Sequence, residues 1–322
     1  MINIVSILTD AISMGTVYLF GSVGETLTEK AGNLNLGTPG IMCCGALGGG
    51  FGIWLCSARA TDAAASPGWL TVMVSIFFSM VFAAAAGLIY AFLTVTLKSN
   101  QNVVGLALTT FGVGTMKFFS KKIYSDTVFH GCSYYFKSLF GEVGDNWFSR
   151  IFLSHGVLVY IAIAVAVLSA VFIRRTRLGL NLRAVGENPA TADAAGLSID
   201  AYKYSFILIG SAISGLGGLY YVMDKTSGTT FTEAPVDAFG WMAVALVIAT
   251  MWRPVLAIFG SILFGGLYVM SAYLPLSFRQ IKLFGMVPYI ITVVVLIVIR
   301  LLNRKDNQPP ASLGLSYFRE ER

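Results

Sequence analysis

Charge is what this sequence has least of. Asp, Glu, Lys and Arg make up 12% of 322 residues, about half the ~25% usual in a soluble domain. With 56% hydrophobic residues and a mean hydropathy of +0.74, a water-soluble globular class is excluded. Histidine is nearly missing: His130 and His155 stand far apart, without the HExxH spacing of a zinc hydrolase. The four cysteines do not make a disulfide framework. Cys43 and Cys44 lie in an apolar run and read as small packing residues, whereas Cys56 and Cys132 could share an outer face. No GxxxxGK[ST] occurs, so the chain has no phosphate-binding loop of its own. No Ser/His/Asp set or paired intramembrane carboxylate can be assembled, which argues against an enzyme. The start of the chain lacks a basic head and a small-residue cleavage site, so its first apolar run is expected to be a retained span.

What is present is a series of apolar runs, about nine, near 4–24, 36–56, 70–97, 102–119, 154–173, 203–223, 237–251, 255–274 and 286–302. Each approaches the ~20 residues needed to cross hydrocarbon, 237–251 being short. The fold class expected is an all-α integral membrane bundle, with a transmembrane domain over 1–302 and a loosely ordered tail over 303–322 that contains Pro309 and Pro310. Apart from Asp10, these runs carry no charge away from their ends. Ion-driven carriers often place ionisable groups at membrane depth, so the absence favours energy supplied from outside the chain. Small residues at four-residue spacing, as in Gly45/Gly49, Ala83/Gly87, Gly210/Ser214/Gly218 and Ser261/Gly265, fit close helix approach. A faint echo between GALGGG at 45–50 and GLGG at 215–218 is compatible with two related halves.

The charge that exists is arranged. The interval 174–203 holds Arg174, Arg175, Arg177, Arg183 and Lys203, which assigns it to the cytoplasm by the positive-inside rule. Lys98, Arg253, Arg300, Arg304 and Lys305 then also fall inside. Asp126, Glu142 and Asp145 fall outside, together with Lys121 and Lys122 against the rule. The amino terminus is expected outside and the carboxyl terminus in the cytoplasm.

Within that interval, Asn188 suits a helix cap, Pro189 a first helical position and Gly196 a helix exit. The intervening residues 190–195 make a helix too short to stand alone and with no broad apolar face for its own chain, so it is expected to be presented to a partner. A second irregular stretch, EKAGNLNLGTPG at 29–40, breaks the first apolar region. It reads either as an ordinary turn or as a discontinuous helix at a substrate site. Asn33 and Asn35 are candidates there, as are Thr109, Thr110 and Phe111 in the later run 100–114.

RAVGENPATADAAGLSIDAYKY at 183–204 resembles the cytoplasmic loop of binding-protein-dependent ABC importer permeases, of the class that handles ribose, nucleosides and branched-chain amino acids. TEKAGNLNLGTPGIM at 28–42 and WRPVLAIFGSILFG at 252–265 are similar to further segments of that family, and NQNVVGLALTTFGVG at 100–114 looks closest to its nucleoside type. Thr109–Thr110 stands where relatives commonly carry an Asn-containing pair. The resemblance implies a coupling helix that docks on an ATP-hydrolysing subunit through Arg183, Gly186, Glu187, Asn188, Pro189, Ala192, Asp193 and Gly196. It implies that ATP and Mg are bound by that partner and no cofactor by this chain. A second, different permease subunit and an external substrate-binding lipoprotein are expected, the latter landing on parts of 120–153 and 224–236. The location implied is a bacterial cell membrane. A sugar or branched-chain amino acid permease and an ion-coupled carrier remain the alternatives.

Overall fold

A computed structural model of the chain describes residues 4–59, 68–137, 146–274, 277–302 and 308–318. Among them every regular element is helical. In order these are α1 (Ile4–Lys30), α2 (Thr38–Arg59), α3 (Gly68–Ala91), α4 (Gln101–Ile123), α5 (Asp126–Lys137), α6 (Trp147–Phe152), α7 (Val157–Arg175), α8 (Arg177–Glu187), α9 (Pro189–Ala194), α10 (Ile199–Tyr220), α11 (Glu233–Ala249), α12 (Pro254–Tyr273), α13 (Phe278–Phe284) and α14 (Val287–Leu302). Single π-turns prolong α3 through Phe92–Thr96 and α10 through Tyr221–Lys225. Backbone hydrogen bonding has no partner in hydrocarbon except the chain itself, so helices are the natural answer to a sequence this apolar.

Seven of these helices are long and apolar enough to cross a membrane: α1, α2, α3, α4, α7, α10 and α12. The remaining two apolar runs form α11, of 17 residues, and α14, of 16. At ~1.5 Å per residue these reach only about 25 Å, so by length and composition the count is seven rather than about nine. Glu142, Asp145, Arg304 and Lys305, which enter the orientation argument, lie outside the described residues.

α1 is the axis. Every residue from Met14 to Glu29 is buried, because α7, α8, α10, α11 and α12 surround it. A helix covered on all sides has no amphipathic stripe to show. α10 is the second inner helix, packed on α1, α2 and α3. Outer faces remain apolar: Met73, Phe77 and Leu88 on α3, Phe259 and Leu263 on α12, and Val293 and Ile297 on α14 are exposed. A surface like that fits lipid rather than water. The small-residue spacing does the expected work. A methyl group on Gly45 would fall on the backbone of Gly215, and one on Gly24 on the carbonyl of Gly210. The two glycine-rich stretches therefore meet where α2 crosses α10.

At the end of the bundle remote from α8 and α9, α5 packs on the segment after α10. Tyr124 donates toward Asp126 at 2.8 Å and toward the carbonyls of Thr229 and Gly228 at 3.0 and 3.1 Å. Burial, with the Asp126 carboxylate beside it, pushes this phenol up to about 12, so it stays a donor. The Phe129 and Phe231 rings pack at 5.1 Å, which joins the two segments expected to meet a binding protein. Asp10 is paired here, with Lys225 Nζ at 3.8 Å and the Tyr273 hydroxyl at 2.5 Å. Cys56 and Cys132 are free thiols.

The helix crossings give a direct test. Gly45→Leu forces α2 away from α10 and is expected to destabilise the purified chain by about 1–3 kcal/mol. Gly114 has open space around it, and Gly114→Leu is expected to change stability by less than about 0.5 kcal/mol. Thermal unfolding in detergent measures both.

Candidate functional site

The interval 176–198 is built as two helices rather than as a loop carrying one. Thr176 caps α8 by accepting from the Gly179 amide at 3.0 Å. Leu182 is buried with Leu27, Ala31, Ile173 and Phe206, so α8 has an inner apolar face, while Arg177, Leu180 and Ala184 face outward and Arg183 and Glu187 are exposed on its flank. Asn188 ends α8 and starts α9: its Oδ1 accepts from the Thr191 amide at 3.0 Å, and Pro189 occupies the first turn. α9 closes on Gly196 at φ +84°, with the Leu197 amide donating to the Ala192 carbonyl at 3.1 Å. This left-handed exit is the reason for a glycine there. The short capped helix is present between the expected caps. One expectation is corrected: the helix does dock in its own chain, because Ala192 is buried against Val185 and Ile199. Asn188, Thr191, Ala194, Ala195 and Gly196 make the exposed side, with Asp193 half-buried beside Tyr317, whose hydroxyl donates to Asp193 Oδ2 at 3.0 Å. Among Arg183, Gly186, Glu187, Asn188, Pro189, Ala192, Asp193 and Gly196, then, Gly186 and Ala192 point inward.

Gly186 explains how α8 reaches the bundle. A methyl group there would fall on the Lys30 carbonyl, so α8 lies directly on the end of α1. There the chain breaks into residues 31–37 before α2 begins. Every exposed backbone group in such a break needs a partner, and side chains from three helices, α1, α3 and α4, supply several of them. Glu25 accepts from the Asn35 amide at 3.2 Å and from the Thr38 hydroxyl at 2.5 Å. Gln101 Oε1 accepts from the Leu34 amide at 2.7 Å. The Tyr90 hydroxyl donates to the Leu34 carbonyl at 2.7 Å, and Thr109 to the Leu36 carbonyl at 2.9 Å. Glu29 accepts from the Trp252 indole N–H. Trp252 and Met251 both hold positive φ, at 54° and 56°, a left-handed pair that non-glycine residues adopt only under restraint.

Two expectations change here. The first run does not end at residue 24: α1 continues to Lys30, and it buries Glu25 and Glu29 at 1% exposure each. The apolar spans are therefore not free of charge apart from Asp10. Buried carboxylates are tolerated when they are hydrogen-bonded, and these two serve the broken segment and Trp252. Two acidic residues four apart, on one helix face and just before Asn/Gly-rich chain, are the signal in the sequence. Nothing marks Tyr90 or Gln101 in advance, since their partners are backbone atoms distant in sequence.

The pathway candidates divide. Asn35 is buried and its Oδ1 holds the Gly37 amide at 2.9 Å. Thr109 is occupied as above. Asn33 is buried with neither Oδ1 nor Nδ2 partnered among the described residues. These three share the break. Thr110 lies on the other side of α4, exposed, with its hydroxyl turned to its own helix at Leu106, and Phe111 is exposed on the flank of α4, lining an apolar pocket with Ile89 and Leu93. No cluster of His, Cys, Asp and Glu able to hold a metal occurs among the described residues.

The tail is the largest departure. Residues 308–318 are packed, not loose. Ser312 donates to the Gly186 carbonyl through its amide at 3.0 Å and its hydroxyl at 2.6 Å, and the Gly314 amide donates to Gly32 at 3.2 Å. The Gln101 amide reaches Leu315 at 3.5 Å, and Lys98 lies over the Phe318 ring at 4.4 Å. This strap ties α8, the break after α1 and the start of α4 to one another. Its anchors are backbone carbonyls, which leave no mark in composition.

Glu25→Ala strands two buried donors, at about 1–3 kcal/mol each, and is expected to raise hydrogen exchange across 31–37 before the bundle melts. Ser312→Pro removes the backbone donor on Gly186 and is expected to raise exchange across α8 and α9 alone; exchange there equal to that of the unchanged chain would refute the strap.

Comparison with known proteins bears on this architecture. The "Putative glucose ABC transporter permease protein TsgC13" of Haloferax volcanii is 31% identical over 80% of this chain and 74% of its own. The "Nucleoside ABC transporter permease protein NupC" of Lactococcus lactis is 28% identical over 98% of this chain and 97% of its own. The "Guanosine ABC transporter permease protein NupQ" of Bacillus subtilis is 27% identical over 99% and 100%. No solved structure matches the chain. Residues 7–296 match the family described as "Branched-chain amino acid transport system / permease component", and the chain, with its several membrane-spanning helices, belongs to that family of ABC transporter permeases.

Proposed function

We propose that the chain is the permease subunit of an ABC importer for nucleosides in a bacterial cell membrane, and that a separate ATP-hydrolysing subunit docks on α9 and the outward side of α8. The observation that carries the substrate class is coverage. The nucleoside and guanosine permeases align over 97% and 100% of their own length, the glucose-named relative over 74%.

Nine crossings fit this reading better than seven, and contacts supply the support. Lys30, Arg183 and Arg253 line one cavity. α10 leads away from α8 and Arg253 lies beside it again, which supports a return through α11. α12 leads away once more, and the strap on Gly186 supports a return through α14. Helices a few residues short cross where the bilayer thins around them. With α8, α9 and the strap in the cytoplasm, α5 and residues 226–231 lie outside, where a substrate-binding lipoprotein would land.

Force would enter at the exposed side of α9. Ala192 backs α9 onto Val185 of α8, and Gly186 seats α8 on the end of α1. Movement of two ATPase subunits would thereby shift the break at 31–37 and swing the helices around it between inward- and outward-open arrangements. Asn35 and Thr109 would change partners in that motion, and Asn33 would gain one. Thr110, on the side of α4 away from the break, and the exposed Phe111 would meet a second, different permease subunit with which the pathway is shared; an aromatic ring there suits a flat base. ATP and Mg would remain on the ATPase subunit. The second reading is a sugar permease, which the 31% identity to the glucose-named relative favours.

Thr191→Arg and Ala194→Arg alter only exposed positions of α9. In the assembled complex they are expected to cut substrate-stimulated ATP hydrolysis at least about tenfold, the scale of one lost ~1.4 kcal/mol contact, with the melting of the isolated chain unchanged. Uptake competition decides the substrate: nucleosides should compete and glucose should not. Competition by glucose alone would replace the nucleoside reading with the sugar one.

A further inference from the structure

Between the ends of α1, α7 and α12, and roofed by α8, lies a polar cavity of about 360 Å³. Four cations converge on it from four elements: Lys30 at the end of α1, Arg174 in the last turn of α7, Arg183 on α8 and Arg253 at the cap of α12. Among the described residues Glu187 is the only carboxylate in the lining, and its Oε2 lies 3.4 Å from the strap amide of Ala311. Glu29, next in sequence to Lys30, is buried and turned to the Trp252 indole. Lys30, Arg174 and Arg183 have no ion-pair partner within 4.0 Å among the described residues. Glu187 offsets one of the charges of Lys30, Arg174 and Arg183, and an anion seated among these three relieves the repulsion that is left.

The surroundings say what kind of anion. The cavity opens at the last turn of α7, where a helix leaves hydrocarbon, and Ala170, Ile173 and Val255 form its apolar side. Below Arg174 on α7, Val171 and Val167 form an exposed stripe at helical spacing; below Arg253 on α12, Val255, Phe259 and Leu263 form another. α7 and α12 are packed together, so the two stripes flank one groove leading into the cavity. Guanidinium groups take phosphate oxygens in paired hydrogen bonds, and basic pockets between membrane helices suit acidic lipid headgroups.

We propose that this cavity binds a phosphate-bearing anion, and that its source is the headgroup of an acidic phospholipid whose acyl chains lie along the α7–α12 groove. The site lies beside α8, so its occupant braces the same corner on which Gly186 rests.

The full chain, purified in mild detergent, is titrated with phosphatidylglycerol or phosphatidylcholine and examined by native mass spectrometry. Lys30→Gln/Arg183→Gln is compared with Arg177→Gln, an exposed arginine outside the cavity. Phosphatidylglycerol retention is expected to exceed that of phosphatidylcholine, and to fall about tenfold or more in the double variant while Arg177→Gln retains it. Arg174→Gln, at the cavity mouth, provides the same comparison should the double variant fail to elute as a single species. A parallel arm adds inorganic phosphate against chloride at equal ionic strength. Thermal stabilisation by phosphate that the double variant loses, without selective lipid retention, supports the anion site and assigns it to a free phosphate. Equal retention of the two lipids with no phosphate effect overturns the proposal. So does unchanged retention in the cavity variants, or a charge-reversed Arg183→Glu chain whose only defect is loss of the ATPase subunit, which would make the cavity a protein contact.

Discussion

The structure turns on one constraint: a helix that stops inside a bundle must hand every freed backbone group to a partner. α1 stops at Lys30, buried on all sides, and the seven residues that follow have no regular hydrogen-bond ladder. Glu25, Tyr90, Gln101 and Thr109 act as that ladder's substitute. Because they come from α1, α3 and α4, the positions of these helices are set relative to one another at the break. Replacing water by these partners also explains why two carboxylates can reside in an otherwise apolar axis.

This break is joined to the surface by two contacts with little give. Gly186 meets the Lys30 carbonyl without a side chain between them, and the strap closes over both through Ser312 and Gly314. Packed interiors pass displacement on because they compress poorly. A push on α9 therefore has a short route, through Ala192 and Val185, to the point where the axis helix is interrupted. That route is what a permease driven by an external ATPase needs, and a permanently regular α1 would not offer it.

Much of this was legible in the residues. Composition alone excluded a soluble class, and Asn188, Pro189 and Gly196 marked α9 because caps are local and their chemistry is written in neighbouring residues. The glycine spacing likewise indicated close helix approach, while which helices meet, α2 and α10 at Gly45 and Gly215, came only with the structure. What stayed hidden depends on partners far apart in the chain. Leu182 and Val185 gave α8 an inner face only once Leu27, Phe206 and Ile199 were there to cover it. Pro309 and Pro310 suggested a loose tail, but the strap is held by carbonyls of Gly186 and Gly32, which any sequence possesses. Glu25 and Glu29 stand beyond the end of the apolar run, and hydrogen bonding carries the helix on through them.

The account depends on the exposed side of α9 meeting an ATP-hydrolysing subunit. Ala195→Cys, in a chain otherwise without cysteine, assembled with an ABC ATPase subunit and treated with a short bifunctional thiol reagent, tests this directly. The prediction is one cross-linked species joining the two chains, formed at Ala195 and not at Thr229 on the opposite end. Cross-linking at Thr229 with none at Ala195 would contradict it.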